Sequence, residues 1–264
     1  MEGFRREDPP SIPQLAVPVS VPNMCYTAGQ NSRDEKKKAT GDLILIAFYF
    51  LLRVGEYTQP KFVYRNGEKR RTTRTKQFSV GNVGFFKDSK VVSRHSSLET
   101  LLSCDAITLK ITNQKNGRMG ETIHQEAVQI GCNPVAALAH RVHHILANGG
   151  TTESLLCEYY VDGNPFNITS KVIITAVREA ASLLKLKDQA IDPDLVGAHS
   201  LRAGGAMALK LHGYDDTTIQ KMGRWTSTTF LQYIHTQIGH LSKGVSNKMS
   251  IPLPFTNIAA IEAC

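Results

Sequence analysis

From Leu43 to Leu52 the chain reads LILIAFYFLL, an apolar run with no polar break. Extended to ATGDLILIAFYFLLRVGEY, it reads as a strongly apolar helix ending near Gly55. The run is far too short to cross a bilayer, which takes about 20 apolar residues, so it belongs to the interior of a soluble domain. The composition can supply that interior. Hydrophobic residues make up 41% and charged residues 20% of 264, enough for one large domain or two modest ones. The first residues, MEGFRREDPPSIPQ, are charged and proline-rich with no apolar segment of the secretory kind. Cys25, Cys104, Cys132, Cys157 and Cys264 are scattered, odd in number and without a CxxC pair. That argues against a disulfide framework or zinc ribbon and for a reducing compartment. The expected location is intracellular, with no membrane partner.

Residues 1–38 read as irregular, broken by prolines at 9, 10, 13, 18 and 22 and closed by the charge run RDEKKK. Residues 61–76, KFVYRNGEKRRTTRTK, read as a basic loop feeding a β region formed by FSVGNVGFF, KVVSR, AITLKIT and ETIHQEAV. GCNPVAALAHRVHHILANGG is a helix with Asn133 as N-cap, Pro134 in the first turn and a Gly-Gly stop. ITSKVIITAVREAASLLKL is another. HSLRAGGAMALKLHG, DDTTIQKMG and TSTTFLQYIHTQIGHL follow as three more. Helix, small sheet, then several helices, without βαβ alternation, make a mixed α+β domain. It is expected over residues 39–245, with 246–264 as a tail. A formal charge of +8 favours a polyanionic partner, nucleic acid first.

Two arginines, a hairpin lysine, a histidine and a late tyrosine stand out together. In GAHSLRAGGAMALKLHGYDDTTIQKMGRWTSTTFLQYI, His199 and Arg202 lie at i and i+3, on one helix face. Gly204 and Gly205 let another backbone approach closely. The order His199-x-x-Arg202, Trp225, Tyr233 resembles the C-terminal signature of the tyrosine recombinase (phage integrase) family. The wording HSLRAGG, GRWTS and FLQYI is most similar to recombinases of Crypton and DIRS mobile elements. FLLRVGEYT resembles the family's arginine box, which assigns Arg53 and, in support, Glu56. ITLKITNQKNGRMGETI resembles its β-hairpin, which assigns Lys115 as the catalytic lysine, with Lys110 on the same segment as a rival. The resemblance runs from about residue 40 to residue 245, and its C-terminal part is the most specific.

The resemblance implies a mostly helical catalytic domain with a small antiparallel sheet. It also implies cutting and rejoining of double-stranded DNA through a 3′-phosphotyrosine, by a homo-oligomer, a tetramer in the family. In a eukaryotic host that means the nucleus. Arg53 and Arg202 would clamp the phosphate, since a guanidinium fork binds two oxygens and stays charged. His199 would donate to the phosphate or handle the nucleophile's proton, and Trp225 would donate its indole N–H. Lys115 would protonate the leaving 5′ oxygen, and Tyr233 would be the nucleophile. No metal or other cofactor is expected. Arg65, Lys69, Arg70, Arg71, Arg74 and Lys76 would grip backbone phosphates.

Singly, each residue has a bland role. Arg53 suits a helix C-terminus, Lys115 a solvated turn, and Trp225 and Tyr233 ordinary packing. Only their joint order argues for chemistry. The pair His140 and His144 at i and i+4 has metal-ligand spacing but no recognisable third ligand, so a surface or phosphate-contacting helix is expected. Family members carry an N-terminal helical domain that clamps DNA, for which residues 1–38 are too short, and the Trp225-to-Tyr233 interval is one residue shorter than in bacterial members. A DNA-binding relic without activity, and a topoisomerase of the related tyrosine class, therefore stay open beside the active recombinase.

Overall fold

The computed structural model describes residues 14–60, 62–65, 68–71, 76–111, 120–189, 191–197, 199–225 and 231. Its centre is α2 (Glu35–Tyr49), capped by Asp34, whose carboxylate accepts from the Lys36 amide at 2.8 Å. Leu43, Ile44, Leu45, Ile46 and Ala47 are all fully buried, so every face of this helix is covered. The covering elements are α1 (Ser20–Gln30), α5 (Pro134–Ala147), α6 (Ser170–Leu183) and α7 (Ser200–Leu211). Glycine sets the tightest of these contacts. A Cβ at Gly41 would lie 2.6 Å from the Cys25 carbonyl oxygen, and one at Gly29 would lie 2.8 Å from that of Lys37.

Helix α1 occupies chain that the proline pattern marks as irregular. Pro18 precedes the helix and Pro22 falls in its first turn, where no intrahelical N–H is required. Val21, Pro22 and Gly29 then supply its buried face. The apolar helix also stops earlier than its composition suggests. After Tyr49 the Leu52 amide reaches back to the Ala47 carbonyl at 2.9 Å and the Leu51 amide to Phe48 at 3.4 Å. Leu51 adopts a left-handed φ of 50° to allow it. The chain reverses, and Arg53 becomes the N-cap of a new short helix, α3 (Val54–Tyr57), not the last turn of the old one.

The expected α+β class, mostly helical with a small antiparallel sheet, is what the structure has. Strands β3 (Val83–Lys87), β4 (Lys90–Val92), β5 (Ala106–Lys110) and β6 (Thr122–Glu126) form an antiparallel sheet in the order β4-β3-β5-β6. Val83, Phe85, Ile107, Leu109 and Ile123 point from it into the main core. α4 (Leu98–Leu102) links β4 to β5 and packs on α5.

The basic stretch is paired, not looped: β1 (Phe62–Arg65) and β2 (Glu68–Arg71) run antiparallel on either side of Asn66-Gly67. Asn-Gly between two strands is a strong hairpin signal, and the charge of the stretch masked it. A second hairpin, β7 (Glu158–Val161) with β8 (Asn164–Asn167), turns through Asp162 and Gly163 at φ 50° and 76°. Asn133 caps α5 by accepting from the Val135 amide at 2.9 Å, with Pro134 in the first turn, as the sequence predicts. Among the described residues no helix is long and apolar enough to cross a membrane.

Candidate functional site

The site grows from two helix ends that face each other. The first is the end of α2 at Leu51, followed by Arg53 and Glu56. Glu56 is 2% exposed. Its carboxylate accepts from the Arg53 amide at 2.8 Å and from Arg53 Nη1 at 3.3 Å. The second is the end of α8 (Asp216–Gly223), whose N-cap Asp215 accepts from the Thr218 amide at 2.9 Å. Here the Trp225 amide reaches back to Gln220 and the Arg224 amide to Lys221, both at 3.0 Å. Arg224 takes the left-handed position at φ 58°. Both reversals thus place a residue with a Cβ where glycine is usual, at a cost of roughly 1–2 kcal/mol each.

Helix α7 lies against both ends. Gly205 packs on α2, where a Cβ would come within 2.5 Å of the Phe48 carbonyl oxygen, and Gly204 packs on the Val17 carbonyl. This close approach, which the sequence predicts, brings Arg202 to both reversals. Arg202 is 2% exposed. It donates from Nη1 to the Leu51 carbonyl and from Nη2 to the Gly223 carbonyl. The Trp225 ring covers it, 4.1 Å from ring centroid to guanidinium carbon. The ring also lies so close to Gly223 that a Cβ there would collide with it. Arg53 reaches the same junction from the other side, with Nη2 donating to the Arg224 carbonyl at 3.4 Å.

His199 precedes the first turn of α7, and its amide donates to Gln14 Oε1 at 2.8 Å. Its pKa is lowered, by desolvation first and then by the charges of Arg202 and Arg53. It therefore stands in the field of both arginines, which disfavours its protonated form. Three guanidinium groups (Arg53, Arg202, Arg224) and one carboxylate (Glu56) meet at this junction, so the cluster is net positive and fixed by hydrogen bonds. A fixed net-positive cluster of this kind favours an anionic group.

The structure thus brings together Arg53, Glu56, His199, Arg202 and Trp225. Lys115 and Tyr233 lie outside the described residues. The rival Lys110 ends β5 and is exposed. The backbone places Arg65, Lys69, Arg70 and Arg71 on the β1–β2 hairpin, and Arg74 is outside the described residues. Lys76 is exposed beside Gln77, whose Nε2 donates to the Gly55 carbonyl at 2.9 Å, so the basic segment leads directly onto α3.

Sequence reading passed over Leu51, Arg224 and Gln14. Arg224 sits inside the GRW tripeptide, but an arginine at a helix end reads as a response to the helix dipole. The histidine pair on α5 is not a surface feature. His144 Nε2 accepts from the Tyr160 amide at 3.0 Å, and His140 Nδ1 lies 3.4 Å from the Tyr26 hydroxyl. Both help to close the interior. Among the described residues no group of three or more His, Cys, Asp or Glu side chains could hold a metal ion.

No protein-family model matches the chain, and no curated protein matches it. Among solved structures it is similar to a XerH site-specific recombinase bound to a palindromic difH substrate in a post-cleavage complex. There the identity is 15% and the TM-score 0.49, covering 88% of this chain and 53% of that one. It is also similar to the Tn1549 transposon integrase in complex with transposon right end DNA, at 12% identity and TM-score 0.41, covering 89% and 68%. The same integrase in complex with a circular intermediate DNA gives 13% and 0.41, covering 86% and 63%. The chain spans about half the length of the first of these proteins.

Proposed function

We propose that this chain is the strand-cleaving domain of a tyrosine recombinase of Crypton- or DIRS-like mobile-element origin. It would act on double-stranded DNA as a homo-oligomer, in the nucleus if the host is eukaryotic. The observation that carries the reading is the gathering of Arg53, Arg202 and Trp225, far apart in sequence, around the junction of Leu51 and Arg224, with His199 in the field of both arginines. In this reading the phenol oxygen of Tyr233 attacks the scissile phosphorus and gives its proton to the neutral His199. The bond from phosphorus to the 5′ oxygen breaks, and Lys115 (or its rival Lys110) protonates that oxygen. Attack by a 5′ hydroxyl of another strand reverses the step and joins the ends. Arg53, Arg202 and the Trp225 indole oppose the charge that builds on the phosphate. The β1–β2 hairpin and Lys76 supply contacts to the DNA backbone.

The test uses a pool of duplexes with randomised flanks and one nick, so that cleavage releases a short fragment and traps the protein on DNA. The unaltered chain is expected to leave a covalent adduct that survives detergent. Tyr233→Phe abolishes it while DNA retention persists, and Tyr159→Phe and Tyr160→Phe leave it unchanged. An adduct that survives Tyr233→Phe refutes the assignment of the nucleophile. The second reading is a DNA-binding relic that keeps the fold. It is favoured by the engagement of both Arg202 terminal nitrogens with backbone carbonyls. Retention of the pool without any adduct selects it.

A further inference from the structure

The proposed chemistry uses Arg53, His199, Arg202 and Trp225 and leaves a third guanidinium at the same junction without a task. Arg224 is 3% exposed. Its Nη1 donates to Glu56 Oε1 and its Nη2 to Glu56 Oε2, both at 3.1 Å, and Nη2 also reaches the Leu51 carbonyl at 3.0 Å. The two-pronged match to a carboxylate is one that a guanidinium makes and an ammonium cannot. Its fork is taken up by the Glu56 carboxylate, an anion that competes with a phosphate for it, whereas the bonds of Arg202 to Leu51 and Gly223 go to neutral carbonyls. What it touches are the parts that hold the others. Its own carbonyl accepts from Arg53, the preceding carbonyl of Gly223 accepts from Arg202, and the following ring of Trp225 covers Arg202. The acceptor it shares with Arg202 is Leu51.

We infer that Arg224 is a positioning residue of the proposed cleavage site. Its fork, pinned by Glu56, clamps the end of α8 against the end of α2 and so sets the places of Arg53, Arg202 and the Trp225 ring. The catalytic half of this inference rests on the recombinase reading; the geometric half does not. Trp225 is the single tryptophan of the chain, so its fluorescence reports directly on the seat of that ring.

Arg224→Gly is the informative variant, because glycine adopts the left-handed backbone freely and only the fork is lost. Arg224→Lys keeps the charge without the two-pronged geometry. In Arg224→Gly the Trp225 emission is expected to move to longer wavelength, with acrylamide quenching raised several-fold. Adduct yield on the nicked-duplex pool falls at least tenfold at unchanged DNA retention, and Arg224→Lys recovers part of both. Emission and quenching that stay as in the unaltered chain overturn the inference, as does a loss of adduct that only follows a loss of DNA retention. If Arg224→Gly does not melt cooperatively, Glu56→Gln is read in its place, and unmoved Trp225 emission again overturns it. An unaltered chain that forms no adduct, with Trp225 still released in Arg224→Gly, overturns the recombinase reading and supports the clamp.

Discussion

One carbonyl oxygen, that of Leu51, accepts from Arg202 and Arg224 together. The backbone turns left-handed to aim it there, a local strain that persists because the surroundings over-determine it. The charges around it differ in what they contribute. Glu56 and Arg224 form a buried pair with side chains 3% and 1% exposed, whereas the Arg53 side chain is 23% exposed. Glu56→Gln is expected to lower stability by roughly 3–5 kcal/mol, because it leaves a buried guanidinium without its counter-charge. Arg53→Ala costs about 1 kcal/mol or less. Urea midpoints at constant slope measure both, and a Glu56→Gln midpoint no lower than that of Arg53→Ala would show that the buried pair is not what holds Arg224. Arg53, His199, Arg202 and Trp225 were legible because their order and spacing form a pattern. Leu51 was not, because its importance comes from a backbone conformation that glycine or asparagine would announce and leucine does not. Arg224 was not, because a buried fork reads in sequence like any arginine answering a helix dipole.

Helix α7 delivers His199 and Arg202 only because its inner face is nearly bare. Gly205→Ala places a methyl group 2.5 Å from the Phe48 carbonyl oxygen and is expected to cost about 2 kcal/mol. At this chain length that lowers Tm by roughly 4–8 °C. Gly55 is the contrasting position, since a Cβ there meets nothing within 4 Å. Gly55→Ala in α3 should be neutral or stabilising by up to about 1 kcal/mol. Equal melting temperatures for the two variants would rule out close packing as the reason for glycine at 205. Elements that carried their own punctuation were legible, as with Asn133-Pro134 at the start of α5. Helix α1 was hidden by prolines that sit at positions a helix tolerates. The β1–β2 hairpin was hidden by charge, and β7–β8 by its brevity, although Asn66-Gly67 and Asp162-Gly163 mark both turns.

At the scale of the molecule, acid should loosen the packing of α5. The His144 pKa is lowered from 6.5 to about 4, by desolvation first and the Arg141 charge second. Lys38 and His143 act in the same direction, and Glu35 opposes them. Between those values the unfolded chain binds a proton that the fold refuses, so stability rises with pH from 4 to 6.5 and is lost as pH falls. The full effect is roughly 3 kcal/mol. Asp42, whose carboxyl burial raises, titrates in the opposite sense. It is present in both chains when the unaltered protein is compared with His144→Gln. Denaturation across pH 7 to 4.5 should show a flatter slope in that variant, and identical slopes would exclude His144 as the cause. The bonds that assemble the arginine cluster span 151 residues for Arg202 to Leu51 and 173 for Arg224 to Leu51. A ribosome adds roughly 5–20 residues per second, so Leu51 waits about 9–35 seconds for its last partner to be synthesised. Until Arg224 emerges, the cluster does not exist. Translation therefore acts as its timer, and polypeptides released before that point carry Arg53 and Glu56 without the helix end that they meet.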